Sequence, residues 1–392
     1  MNFKIKFSGR GHNYTEKELN IVREAMQKAD PLTQGVYRDK FEEKFCEYIG
    51  SKYSFTVSNA TNALELTAQL CLFNEGDEII CPSHTFTASL YPFIKKGAKP
   101  VWADIDEETR VISLDNIKKK VTNKTKAIIA VHLYGYCIND IKEIADYAKE
   151  KNILLIEDVA QALGTEINGK KAGTFGDFGI FSFHSHKNMT TLGEGGMLIV
   201  KEKKYADIIP LLRHNGHTSF DFERDYYWQP AMGNVDLPEL EGNILFPNNY
   251  CLGEIECALG IELLERIDNM NNEKRKRAIF FIDSLSENKL LKFHRIESKQ
   301  HNYHLLVAKV NNNKRDEFIN KMAFEKGIQC VVQYYPLNRY DFYKKLNYND
   351  AGCPNADSFY DNMISFPFQL WMSKEELNYM LKSTKEVIEQ LS

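Results

Sequence analysis

A chain of 392 residues with 43% apolar and 27% charged side chains has the balance of an ordinary soluble enzyme, long enough for one large α/β domain and a smaller satellite. Its net charge of -4 sets up no global field toward nucleic acid or an anionic membrane, so neither is an expected partner. The opening stretch MNFKIKFSGRGHNY interrupts each short apolar run with charge, which suits neither a signal peptide nor a membrane span, and the expected location is cytoplasmic. Eight cysteines without a C-x-x-C pair argue against a disulfide framework and a zinc knuckle, leaving free thiols.

Thr15 followed three residues later by Glu18 is a capping-box signature, and EKELNIVREAMQKA after it carries apolar residues at helical spacing. A second amphipathic run, VYRDKFEEKFCEYIG, stops at Gly50. From residue 53 to about 200, β-branched runs alternate with helical patterns: SFTVS, DEIICP, AKPVWAD, KAIIAVHLYG, ILLIEDVA, GIFSFH and GGMLIV read as buried strands. This alternation predicts a mainly parallel sheet covered by helices on both faces, with ligands at the carboxyl ends of its strands. The aromatic, Asn- and Asp-rich stretch 214–250 lacks periodicity and reads as a long functional loop or a partner-contacting excursion. CLGEIECALGIELLERIDNMNNEKRKRAIFFIDSL reads as a long helix. A smaller domain follows, with strands expected at YHLLVAKV and GIQCVVQYYP and helices at RDEFINKMAFEKG and SKEELNYMLKSTKEVIEQL. The expected division is a large domain over 1–250 with an N-terminal arm, and a linking helix with the small domain over 251–392.

Three segments carry chemistry. ILLIEDVAQALG ends an apolar strand in Glu157 and Asp158, with Gln161 three residues on; a carboxylate at the mouth of a buried strand calls for a partner, either a protonated pyridine nitrogen or, equally on this motif alone, a cap or salt bridge. GIFSFHSHKNMTTLGEGGMLIV leads from a strand into Ser182, His184, His186 and Lys187 and then a glycine-rich turn. That setting suits an amine nucleophile attacking an aldehyde, although any single lysine is more often a solvated surface charge. TVSNATNALELTAQL places Ala60 and Thr61 at a helix start, a natural phosphate site or a simple N-cap. Phe86 in CPSHTFTAS stacks on a ring or fills the core. His184 and His186 lack a third ligand at a convincing spacing, so no metal site is expected. Nucleotide-binding glycine fingerprints and the G-x-S-x-G elbow are absent, which leaves dehydrogenase and hydrolase readings without their anchors.

In order and spacing, these segments resemble the DegT/DnrJ/EryC1/StrS family of sugar aminotransferases. The likeness runs through PLTQGVYRDKFEEKFCEYIG, SNATNALELT, PSHTFTASLYPFIKKGAKPVWADID, EDVAQALGT, GDFGIFSFHSHKN, GEGGM, ALGIELLERID, GIQCVVQYYPL and the late SFPF. The resemblance implies the α/β fold-type I architecture of aspartate aminotransferase, with a mainly parallel seven-stranded sheet and a smaller C-terminal α+β domain, and pyridoxal 5′-phosphate as cofactor. It implies a Schiff base on Lys187, a pyridinium partner in Asp158, a contact from Gln161 to the phenolic oxygen, and phosphate ligands in Ser182 and Thr61 beside Ala60. It further implies ring stacking by Phe86, and an asparagine, Asn249, that reaches the cofactor phosphate of a second subunit in a homodimer.

Departures are Ala60 where members carry Gly, Cys251 where an arginine is usual, Gln333 for a common His before Tyr-x-P, and the long aromatic insertion 217–247. A dehydrating branch of the family replaces the lysine by histidine; here the register lands on Lys187, with His186 one residue earlier, which favours transamination. The implied reaction moves an amino group from an amino acid, L-glutamate, to a keto-sugar, most often nucleotide-linked, for surface-glycan or capsule synthesis. The alternatives are a small keto-phosphate acceptor, and a regulatory protein that binds the cofactor without turnover.

Overall fold

The computed structural model describes residues 2–220 and 233–391. Two helices open the chain, α1 (Glu16–Lys28) and α2 (Val36–Ile49). The Glu18 carboxylate accepts the Thr15 N–H at 2.8 Å, as the capping box requires, and α2 ends on Gly50 in the left-handed region with φ 81°. Each of the seven expected strands forms: β1 (Tyr53–Val57), β2 (Glu78–Pro82), β3 (Lys99–Ala103), β4 (Thr125–Val131), β5 (Leu154–Asp158), β6 (Phe178–Ser182) and β7 (Gly196–Val200). They make one sheet in the order β1-β7-β6-β5-β4-β2-β3. Only β7 runs against the others, since it pairs antiparallel with both β1 and β6 while the remaining pairs are parallel. Helix α3 (Ala60–Leu70) follows β1 and α4 (Ile141–Glu150) precedes β5.

Helix α5 (Glu254–Asp283) spans two apolar clusters. Its first turns, from Cys257 to Met270, belong to the core around the large sheet, and Ala278, Phe281 and Ile282 belong to a second core. That second core lies around β8 (Leu291–Phe293), β9 (Leu306–Val310), α6 (Arg315–Phe324), β10 (Met363–Phe366) and α8 (Lys374–Leu391), whereas α7 (Pro354–Asn362) buries Ala356 and Phe359 in the first core; the three strands form an antiparallel sheet in the order β8-β9-β10. The buried Glu254 carboxylate of α5 accepts the N–H groups of Gly35, Tyr37 and Arg38 at 2.9, 2.8 and 3.2 Å, closing the start of α2 from a distant segment.

The strand expected over GIQCVVQYYP does not form. Its backbone is spent on single bridges, Ile328 with Ile5 and Val331 with Ser365, because the N-terminal arm and β10 each meet it at one point. Position 363–366, not singled out as a strand in the sequence, takes the sheet edge instead. The stretch 214–250 carries two-residue ladders pairing His217–Thr218 with Asn234–Val235 and Glu239–Leu240 with Asn243–Ile244. The middle of that aromatic insertion, 221–232, lies outside the described residues.

Candidate active site

Where β1 turns into α3, the Asn59 side chain caps the helix by accepting the Asn62 N–H at 3.0 Å, and Ala60 and Thr61 of its first turn line a cavity. Gly196, first residue of β7, packs against this turn; a Cβ there would stand 2.6 Å from the Asn59 carbonyl carbon and 2.7 Å from the Ala60 nitrogen. Ser182, the last residue of β6, lines the same end of the cavity and is buried. Exposed helix-start donors and a hydroxyl make this end suited to an anion.

The two adjacent carboxylates of β5 part company. Glu157 is fully buried and accepts from the N–H groups of Gly173 (2.8 Å), Phe175 (2.7 Å) and Gly176 (2.7 Å). It also takes the Nε2–H of His132 at 3.0 Å; since His132 Nδ1 accepts the Ile138 N–H, that tautomer is fixed. Asp158 instead opens on the cavity, its Oδ2 accepting the Ser89 hydroxyl at 2.7 Å and its Oδ1 the Ala160 N–H at 3.1 Å. Glu157 therefore holds structure, and Asp158 keeps acceptor capacity for a ligand.

Beside Asp158, Gln161 accepts the Tyr134 N–H at 2.7 Å and donates to the Tyr334 hydroxyl at 3.0 Å, which orients its amide. Phe86 stands on the wall, half exposed, edge-on to Tyr334 with ring centres 5.8 Å apart.

Lys187 lies in the loop after β6, its N–H donating to the His184 carbonyl at 2.9 Å. The N-terminal arm pins this loop: the Gly11 N–H donates to Ser185 at 2.9 Å, and any Cβ on Gly11 would overlap the Lys187 carbonyl oxygen. Withdrawal from water lowers the Lys187 ammonium to about 8, against the opposing pull of the Asp158 carboxylate. A lysine so shifted holds an unprotonated, nucleophilic fraction near neutral pH. Burial, with His184 and Lys187 beside it, lowers His186 to about 4; the two histidine rings are 4.4 Å apart, and His184 Nε2 is 3.7 Å from the Glu194 carboxylate.

Seven of the residues singled out in the sequence, Ala60, Thr61, Phe86, Asp158, Gln161, Ser182 and Lys187, thus line one cavity of about 390 Å³. Asn249 does not: it is exposed, bridges His214, and accepts the Cys251 N–H at 3.3 Å. Sequence reasoning missed Phe7, Asn59, Ser89, His304 and Tyr334 on the cavity wall. Only Asn59, a good N-cap residue directly before α3, carried a local signal.

The match to known proteins follows this geometry. The model of the DegT/DnrJ/EryC1/StrS aminotransferase family matches residues 12–385. The chain belongs to that family. It is 33% identical over 375 residues to a GDP-perosamine synthase of Escherichia coli O157:H7, covering 95% of this chain and 96% of that one. It is 31% identical over 386 residues to the UDP-4-amino-4,6-dideoxy-N-acetyl-beta-L-altrosamine transaminase of Campylobacter jejuni, covering 97% and 96%. Among solved structures, an aminotransferase from Psychrobacter cryohalolentis superposes with a TM-score of 0.86 at 26% identity over 98% of this chain and 99% of that one. The family's fold-type I architecture and the seven-stranded sheet agree.

Proposed function

We propose that this cavity carries out transamination between an amino acid, L-glutamate, and a nucleotide-linked keto-sugar, with Lys187 as the amine that holds pyridoxal 5′-phosphate. The chain is a sugar aminotransferase of glycan biosynthesis by its family and relatives, and pyridoxal 5′-phosphate is the family's cofactor. The observation that carries the residue assignment is the pairing of a desolvated Lys187 with an accepting Asp158 in one cavity, whose other end is a helix start.

The donor set fits the cofactor part by part. The Ala60 and Thr61 N–H groups with the Thr61 and Ser182 hydroxyls suit its phosphate; the hydrogen atom of Gly196 leaves the helix start unobstructed. Asp158 suits the ring nitrogen, Gln161 the phenolic oxygen and Phe86 one ring face. When bound, the cofactor supplies a ring that accepts the electron pair left at the amino-bearing carbon as its proton departs. Asp158 would hold the ring nitrogen by accepting its proton's hydrogen bond. Lys187, its amine free, would serve as the base that takes the proton from that carbon and as the acid that returns it. Hydrogen bonds from the Ser89 hydroxyl and the Ala160 N–H fix the orientation of the Asp158 carboxylate.

A homodimer completes this reading. Asn249 is exposed and stands apart from its own chain's cavity, as a residue serving the partner's phosphate would. Among the described residues no helix is long and apolar enough to cross a membrane, which is compatible with the cytoplasmic location we propose.

The test is an absorbance spectrum of the purified protein with pyridoxal phosphate, before and after L-glutamate. A visible band that gives way to a near-ultraviolet one on adding glutamate, and that is absent in Lys187→Ala, is the expected result. A band unchanged by that substitution refutes the role of Lys187, and a band indifferent to amino donors refutes the proposed donor reaction. A panel of keto-sugar nucleotides against keto-phosphates then identifies the acceptor.

A further inference from the structure

The opening residues Lys4, Ile5, Lys6 and Phe7 alternate charged and apolar side chains, the period of an extended strand. The structure follows that alternation. Lys4 and Lys6 are exposed, Ile5 is buried in the second core, and Phe7 is half-buried and lines the cavity. Hydrogen bonds fasten this segment along its length. The Lys4 and Ile5 N–H groups donate to the Gly327 carbonyl at 2.8 and 3.1 Å, and the Ile5 carbonyl accepts the Gln329 N–H at 2.9 Å. The Phe7 N–H donates to Gln329 Oε1 at 3.1 Å, and the Lys6 carbonyl accepts from Gln369 Nε2 at 3.2 Å. Further on, the Arg10 carbonyl accepts from Trp371 Nε1 at 3.1 Å, and Gly11 reaches the lysine loop at Ser185. The arm is thus a strap tied to the second core at one end and to the loop of Lys187 at the other, with Phe7 held between the ties.

The cavity has two walls of different origin. Every group suited to the cofactor, from Ala60 to Lys187, comes from the strand ends of the large sheet and the turns after them. Facing them are Phe7 of the strap and His304, Leu305, Gln333 and Tyr334 of the C-terminal part, none of which the cofactor needs. This second wall carries no charge, since burial holds the His304 imidazole well below its ordinary value and the other four side chains are neutral. An aromatic and an aliphatic side chain beside an amide and a phenol suit a ligand with one apolar face and a polar, uncharged rim. The ring of a sugar has that form, with a face of C–H groups and a rim of hydroxyl and carbonyl oxygens. An acyclic keto-phosphate has no such face and brings a dianion, and L-glutamate brings two carboxylates, for which this wall offers no cation.

We propose that Phe7 is a specificity-determining residue for the acceptor: held on the second wall by the strap, its ring packs against the C–H face of a cyclic keto-sugar. This rests on the reading of the cavity as a transamination site, and it deepens that reading by naming a residue that separates cyclic from acyclic acceptors.

The holoenzyme is converted to its amine form with L-glutamate, the loss of the visible band being timed by stopped flow, and is then offered acceptors. GDP-, UDP- and dTDP-linked keto-hexoses are the cyclic probes, and dihydroxyacetone phosphate is the acyclic one. In Phe7→Ala the KM for the best cyclic probe is expected to rise about tenfold, while the rate with L-glutamate changes by less than about twofold. Phe7→Tyr, which keeps the ring face, is expected to restore the KM. An unchanged KM in Phe7→Ala overturns the proposal. So does an equal loss with L-glutamate and with the cyclic probe, because that marks a loosened lysine loop, and so does a wild type that aminates only dihydroxyacetone phosphate. If Phe7→Ala fails to fold by circular dichroism, Phe7→Leu, which fills the space without an aromatic face, takes its place. Failure of the transamination reading is distinct: it shows in the wild type as a visible band that is missing or indifferent to L-glutamate, before any acceptor is added, and the proposal falls with it.

Discussion

Lys274 gives the sharpest quantitative test of how the floor of the site is held. It is 4% exposed, its two partners are neutral oxygens, and withdrawal from water lowers its ammonium from 10.5 to about 7. Below about 7 the native and unfolded chains both carry the proton, and the native state bears the whole cost of the buried charge. Between the two values the unfolded chain still binds the proton while the native one releases it, so stability rises with pH; above the unfolded value the penalty is gone. Linkage over that span makes the penalty about 4 kcal/mol near pH 7 and about 1 kcal/mol near pH 9.5. Lys274→Met removes the titration along with two hydrogen bonds to buried acceptors. The wild type should therefore gain about 3 kcal/mol on the variant between about pH 7 and about pH 9.5. Urea unfolding of both proteins at the two pH values, followed by far-ultraviolet circular dichroism, measures this difference, and titrations common to both cancel. A stability difference that stays constant with pH refutes the buried-cation account.

Gly196→Ala forces a methyl group against the Asn59 carbonyl carbon and the Ala60 nitrogen and must displace the start of α3. Cofactor affinity is expected to fall at least about tenfold in a spectroscopic titration while the fold persists, and unchanged affinity would separate this helix start from the phosphate site. Glu254→Gln leaves the shape of the side chain but weakens the acceptor for the Gly35, Tyr37 and Arg38 N–H groups. A loss of about 1–3 kcal/mol in urea unfolding is expected, with no change in the absorbance spectrum of the bound cofactor.

The seven strands were legible because strands buried on both faces read as continuous apolar runs, and the cavity was legible because such a sheet gathers its ligands where the strands end. Asp158, Ser182 and Lys187 follow from that rule. The division of labour between Glu157 and Asp158 does not: successive residues of a strand face opposite ways, but which face meets the cavity depends on how helices cover the sheet. The apolar run GIQCVVQYYP shows the converse limit. Its composition suits a strand, yet a strand exists only where a neighbour runs alongside, and here the arm and β10 touch it at one residue each.

Least legible were the residues that tie the site together. In NNEKRKR, Lys274 belongs to a charge run whose ordinary place is a solvated helix face. Folding instead turns Lys274 inward, where two oxygens from segments before and after it in the chain meet its ammonium. One of those oxygens is on the residue that follows Lys187, and the other is the carbonyl of His304. A cation with no partner in its own neighbourhood of the sequence thus carries the contact between the lysine loop and the second core. For that reason a perturbation at residue 274 should be felt at Lys187 although no short motif joins them.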